Sequence, residues 1–184
     1  MSGLSLADRI VMLHEALDSV PHAFGGALAL AYYAEPRATV DIDVNVFVPV
    51  DEFDRVSVLL DRIGVTIERP GTGDIVGRNG QVRVFWDDVP VDVFFSYDSF
   101  HDAAARSRRA VPFADSSIEI LSPEHLIVCK AVFNRPRDWV DIQAMMDAGT
   151  IVDVAEVLRW VGRIAGDEDH RFERVANLLS NRQT

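Results

Sequence analysis

The chain has 184 residues, 48% of them hydrophobic, with 29 acidic against 18 basic side chains and a formal net charge of −11. Such a chain can bury a substantial core as one domain with a helical extension, and its acidity argues against a protein held on nucleic acid mainly by bulk electrostatics, though not against a local basic patch. No run approaches the roughly 18 apolar residues of a membrane span, no leader-like segment is read at the N-terminus, and the single Cys129 excludes an intrachain disulfide framework and suits a reducing cytoplasm.

In chain order, Ser5 reads as a helix cap with Asp8 as its capping-box partner, and Leu6, Ile10, Leu13 and Leu17 mark one helical face. His22-Ala23-Phe24 predicts a short strand running into Gly25-Gly26. A helix over about 27–34 follows, and Glu35-Pro36 breaks it. Apolar residues at Val40, Ile42, Val44, Val46 and Val48 alternate with Asp41, Asp43 and Asn45, the period of a half-buried strand. Pro49 ends it, Asp51 can cap a helix over 52–63, and Gly64 closes that helix. Three strands are expected near 65–69, 81–86 and 90–95, with a glycine-spaced loop at 70–80 ending in the hairpin signal Asn79-Gly80. A helix near 98–109, a short strand at Ile118–Leu121 and then mainly helix complete the reading, with Ser122-Pro123-Glu124 as a well-formed helix start. The pattern predicts an α/β (α+β) fold: a sheet domain over residues 1–121, followed by a C-terminal helical part over 122–184.

Three features carry chemistry. Asp41 and Asp43 project from one strand face, roughly 6.5–7 Å apart along it, close enough to share divalent cations. Asp is depleted from strands, so two in a valine-rich strand need a reason, and a solvated sheet face is the plain one. Asp92 likewise interrupts Val91-Asp92-Val93-Phe94-Phe95; beside the first strand it would complete a three-acid cluster, and such carboxylates repel unless a cation neutralises them. Oxygen ligands without Cys or His at zinc spacing favour Mg²⁺ or Mn²⁺, metals suited to phosphoryl transfer. Gly25-Gly26 lets backbone approach a phosphate at a helix start, although a plain tight turn reads the same way. Lys130, set among Leu126, Ile127, Cys129, Ala131 and Val132, wants an anion, either a phosphate or a structural carboxylate partner.

Taken together, Gly25-Gly26, Arg37-x-Thr39-x-Asp41-Ile42-Asp43 and Val91-Asp92-Val93-Phe94 resemble the polymerase-β-type nucleotidyltransferase superfamily. The later Leu121-Ser122-Pro123-Glu124-His125-Leu126, Lys130 and Arg135-x-Arg137-Asp138-x-x-Asp141-Ile142 resemble its AbiEii-type toxin branch, which includes the mycobacterial nucleotidyltransferase toxins. The resemblance covers roughly residues 20–147 and implies a mixed sheet flanked by helices, with the C-terminal helical part packed on it, and metal-dependent transfer of a nucleoside monophosphate from an NTP (ATP, CTP, GTP or UTP). By position, Gly25, Gly26, Arg37, Thr39 and Lys130 would hold the nucleotide, and Asp41 and Asp43 the Mg²⁺ or Mn²⁺. Asp92 would be the third acid and the base for the acceptor hydroxyl. Lys130 would neutralise phosphate, and Asp138 or Asp141 would orient Lys130 or touch the nucleotide. Many relatives have serine after the first glycine; here Gly26 removes one hydroxyl contact.

Toxin relatives modify tRNA 3′ ends and are paired with an antitoxin, so those are the implied substrate and partner. Arg106, Arg108, Arg109, Arg135 and Arg137 are the candidates for RNA contact, although arginines late in a helix are often solvated, dipole-favoured residues. A small-molecule or protein acceptor, or a non-catalytic interaction module of the same fold, are the other readings.

Overall fold

Valine-rich alternation builds a six-stranded mixed sheet in the computed structural model, which describes residues 3–65, 67 and 80–180. Its strands are β1 (His22–Phe24), β2 (Ile42–Pro49), β3 (Gln81–Trp86), β4 (Val89–Ser96), β5 (Arg109–Phe113) and β6 (Ser116–Ile120). Their spatial order is β3-β4-β2-β1-β6-β5. β2 runs parallel to β4 and β1 to β6, while the other neighbours are antiparallel. The fold is therefore α+β, as the sequence pattern predicts, and its sheet is mixed, as the resemblance implies.

The chain divides into two units, Met1–Leu28 with Ala38–Leu121, and Ala29–Arg37 with Ser122–Thr184. The sheet belongs to the first, with helices α1 (Leu6–Ala16), α3 (Phe53–Asp61) and α4 (Ser99–Ser107). The short α2 (Gly26–Leu30) follows β1. One sheet face is core: Ile42, Val44, Val46 and Val48 of β2, Val91, Val93 and Phe95 of β4, and Val82, Val84 and Trp86 of β3 are all buried. Ile10 and Leu13 of α1 and Phe53, Val56 and Leu60 of α3 are buried too, the Phe53 and Phe95 rings lying 5.9 Å apart. Each such side chain stabilises the fold by about 1.5–3 kcal/mol, which fixes strand register, because a slip of one residue would turn this set to water. The intervening residues, Asp43, Arg83 and Asp92 among them, are thereby committed to the opposite face.

Local signals act as their chemistry requires. Ser5 Oγ accepts from the Asp8 N–H at 3.1 Å and Asp8 Oδ2 accepts from the Ser5 N–H at 3.0 Å, closing the capping box. A two-residue turn, Asp87-Asp88, closes the β3–β4 hairpin, with Asp87 at φ 55° and its carboxylate accepting from Arg9 Nη2 at 2.8 Å. The strand expected near 65–69 and the loop 70–80 with Asn79 lie outside the described residues, apart from Val65, Ile67 and Gly80. Three elements differ from expectation. Asp51 lies within a 3-10 turn, Val50–Glu52, so it does not cap α3, which runs Phe53–Asp61 without a side-chain cap. Regular α2 stops at Leu30 rather than 34, and α4 stops at Ser107, leaving Arg109 to open β5. β5 is an edge strand carrying Pro112 with no buried residue, so it shows no core-facing alternation to read.

The second unit contains α5 (Pro123–Phe133), α6 (Pro136–Asp147), α7 (Val154–Ala165) and α8 (His170–Ser180), and α5 packs on the other three. Ser122 caps α5, and Asn134, left-handed at φ 58°, ends it. Residues 29–37 join this unit through Thr150 Oγ1, which donates to the Tyr33 carbonyl, and through Arg37. No helix among the described residues is long and apolar enough to cross a membrane.

Candidate active site

Parallel pairing of β2 with β4 sets Asp43 opposite Asp92, and antiparallel pairing of β3 with β4 sets Arg83 opposite Asp92. Residues paired across neighbouring strands lie roughly 5 Å apart and face the same way. Asp41 leads into β2 two residues earlier, its backbone pinned by Thr39, whose Oγ1 accepts from the Asp41 N–H at 3.2 Å and donates to its carbonyl at 3.3 Å. Arg83 binds the acids together. Its Nε donates to Asp92 Oδ1 at 2.8 Å, its Nη2 to Asp92 Oδ2 at 2.6 Å, and Nη2 stands 3.7 Å from Asp41 Oδ2. The Asp92 hydrogen bonds, reinforced by the charges of Asp92, Asp41 and Asp43, push the guanidinium further above its already high range.

The glycine pair adjoins this cluster. Gly25 donates its N–H to the Asp43 carbonyl at 2.9 Å, and Gly26 opens α2 at φ 54°. A Cβ on Gly26 would stand 1.8 Å from Asp43 Oδ2 and 2.6 Å from its Cγ. The Asp43 carboxylate thus lies against bare backbone, and the left-handed angle independently favours glycine. That is the physical reason for glycine at position 26.

In the second unit Lys130 of α5, almost wholly buried, donates to Asp141 Oδ2 of α6 at 2.6 Å. Arg37 closes a fork on the same carboxylate, Nε to Oδ1 at 2.9 Å and Nη2 to Oδ2 at 3.0 Å. Burial pushes Asp141 upward, but the hydrogen bonds and charges of Arg37 and Lys130 outweigh it and hold the carboxyl below its ordinary range. Asp138 does not meet Lys130. It accepts from the Arg135 N–H at 3.0 Å and from Arg135 Nε at 2.8 Å, fastening the start of α6. Of the two acids expected beside Lys130, Asp141 is the one that meets it.

The candidate RNA contacts are divided between the two units. Arg106, Arg108 and Arg109 are exposed at the α4–β5 junction, where Arg108 Nε lies 3.6 Å from Glu119. Three strand spacings separate β5 from β2, roughly 14 Å, more than one nucleotide contact spans. Arg135 and Arg137 are exposed in the second unit, and the Arg135 guanidinium is engaged by Asp138 and lies 5.1 Å from the Phe133 ring.

Among the described residues, no three His, Cys, Asp or Glu side chains stand as a ready-made metal cage. Arg83 sits against two members of the expected Asp41–Asp43–Asp92 cluster. The donor set nonetheless suits Mg²⁺ or Mn²⁺: it is all carboxylate oxygen, and the guanidinium held on Asp92 and beside Asp41 is a stand-in cation marking where positive charge is accepted. Arg83 is the residue that sequence reading missed. Its signal was the Asp87-Asp88 turn, which sets the fourth residue before the turn opposite the fourth after it.

Comparison with known proteins accords with this geometry. The family model described as "Nucleotidyl transferase AbiEii toxin, Type IV TA system" matches residues 12–182. None of the curated proteins matches. Among solved structures, the antibiotic-resistance factor ANT(2'')-Ia in solution is similar at 16% identity over 95% of both chains, with a TM-score of 0.61. An antigenic nucleotidyltransferase-like protein from Paracoccidioides brasiliensis is similar at 16% identity over 96% of this chain and 88% of that one, TM-score 0.54. The lincosamide antibiotic adenylyltransferase LnuA, lincomycin-bound, is similar at 12% identity over 80% of this chain and 99% of that one, TM-score 0.53. At these identities the likeness is one of fold.

Proposed function

The chain belongs to the AbiEii family of nucleotidyltransferase toxins, and from that premise we propose that it transfers a nucleoside monophosphate from an NTP to the 3′ end of a tRNA, restrained by a cognate antitoxin. The observation that carries the catalytic part is the β2–β4 register, which pairs Asp43 with Asp92 on the sheet face away from the core. In the step itself the acceptor hydroxyl oxygen bonds to the α-phosphorus as the α–β anhydride bond breaks and pyrophosphate leaves. The hydroxyl proton passes to an Asp92 carboxylate oxygen. Asp41, Asp43 and Asp92 would hold Mg²⁺ or Mn²⁺, which when bound activates the attacking oxygen and steadies the leaving phosphate.

The chain's own groups do the positioning. The Gly25-Gly26 turn, assigned to the triphosphate, lets the Asp43 carboxylate lie against bare backbone at the start of α2. Thr39 fixes the backbone of Asp41. In the second unit Lys130 is assigned to phosphate charge, with Asp141 orienting it and Arg37 sharing that carboxylate. Arg106, Arg108, Arg109 and Arg137 supply exposed positive charge for RNA backbone in an otherwise acidic chain. A cytoplasmic location follows from that substrate.

A second reading takes a small hydroxylated acceptor. What favours it is that one similar structure is bound to lincomycin, and another, ANT(2'')-Ia, is in complex with adenylyl-2''-tobramycin. Incubation with each labelled NTP, Mg²⁺ and total tRNA separates the two. Label in RNA with the wild-type chain and none with Asp43→Ala is the expected result. Label in an aminoglycoside or lincosamide with RNA untouched would support the second reading, and no NTP binding by calorimetry would defeat both.

A further inference from the structure

Arg83 is an expensive neighbour for a metal-binding acid. Its fork occupies both oxygens of Asp92, at 2.8 and 2.6 Å, and reaches to 3.7 Å from Asp41. In that state Asp92 has neither oxygen turned to an acceptor proton, and the positive charge a divalent ion would bring is already supplied. Yet the arm is not built in. The Arg83 side chain is 53% exposed and stands on the edge strand β3, whereas Asp92 is only 17% exposed. Asp141 contrasts with it: its partner Lys130 is only 5% exposed. Ion pairs as open as Arg83–Asp92 contribute little to stability, so one end can leave at small cost.

We propose that Arg83 is a displaceable counter-cation of the carboxylate cluster: without a divalent ion its fork closes on Asp92, and ion binding must release it before Asp92 can take a proton. The inference rests on the nucleotidyltransfer reading of Asp41, Asp43 and Asp92. It makes Arg83 a positioning residue that acts through Asp92, and it makes apparent metal affinity a competition between a guanidinium and an ion for the same oxygens.

Binding of Mn²⁺ to the full chain without nucleotide, followed by electron paramagnetic resonance, tests it. Arg83→Gln should bind Mn²⁺ roughly three- to tenfold more tightly than wild type. Arg83→Lys keeps the charge but loses the fork and should fall between them. In the ¹⁵N spectrum of the wild type, the Arg83 Nε–H signal should shift in step with Mg²⁺ saturation. Equal or weaker Mn²⁺ binding by Arg83→Gln overturns the proposal, as does wild-type affinity in Arg83→Lys or an Nε–H signal indifferent to saturating Mg²⁺. If Asp43→Asn loses Mn²⁺ while Arg83→Gln matches wild type, the carboxylate reading stands and the counter-cation falls. If no variant binds Mn²⁺, both fall. Circular dichroism of each variant confirms that the exposed substitution leaves the fold intact.

Discussion

Replacing Gly26 by alanine should show whether the glycine turn and the first acids act as one device. The new Cβ would stand 1.8 Å from Asp43 Oδ2, 2.6 Å from Cγ and 3.0 Å from Cβ, at a φ of 54°. The left-handed angle alone costs a non-glycine residue about 1 kcal/mol. Turning Asp43 off its preferred rotamer adds about 1 kcal/mol more. For a chain of this length, about 2 kcal/mol lowers Tm by roughly 4–8 °C. The two contributions separate in a double-mutant cycle. With Asp43→Ala in place only the contact to Cβ remains, so Gly26→Ala should then cost just the backbone share, leaving a coupling of about 1 kcal/mol. Urea unfolding of the four proteins measures it. In the transfer assay, Gly26→Ala alone should lose on the order of a hundredfold in rate, since an angstrom of misplacement at a reacting group has that effect. A coupling indistinguishable from zero would mean that α2 re-forms around the new methyl group, and the claim that Gly26 positions Asp43 would be refuted.

Three further outcomes follow from the charged pairs. Asp41→Ala should abolish transfer yet change stability by less than about 0.5 kcal/mol, because the Asp41–Arg83 pair is 3.7 Å long and its side chains are 40% and 53% exposed; near-normal turnover would remove Asp41 from the metal set. Asp141, held below its ordinary value of 3.8, contributes stability that is fully present above that value and lost as pH falls through its lower folded value. Asp141→Asn should therefore flatten the acid limb of the unfolding free energy below about pH 4, and an acid limb parallel to wild type would count against the pairing. Lys130→Met leaves Asp141 buried with Arg37 alone and should cost roughly 2–4 kcal/mol by urea unfolding.

Much of this architecture is legible in the sequence because burial writes a period. The alternation from Ile42 to Val48 names both the strand and the face on which Asp43 must lie, and Val91 to Phe95 does the same for Asp92. Ser5 and Ser122 mark their helices because a side-chain oxygen at that position satisfies an otherwise unpaired N–H. What failed lacks such a constraint. β5 is an exposed edge strand, so nothing in Arg109–Phe113 needs to alternate. The early end of α2 leaves Tyr33 and Ala34 in turns whose N–H groups both reach the Leu30 carbonyl, a tightening that composition does not record.

Charge partners are harder to foresee than strands, since each depends on two elements at once. Lys130 and Asp141 are eleven residues apart on consecutive helices, a spacing a reader can test, whereas Arg37 reaches the same carboxylate from 104 residues away. Arg83 lay between these cases. It is nine residues from Asp92, and one tight turn decides whether the two face each other. A hairpin turn at Asn79-Gly80 says nothing of what faces Arg83; the turn at Asp87-Asp88 sets it opposite Asp92. A carboxylate assigned to metal on sequence grounds should therefore be checked first against every basic residue that hairpin register can bring opposite it, since a guanidinium satisfies the same electrostatic demand with the opposite consequence for catalysis.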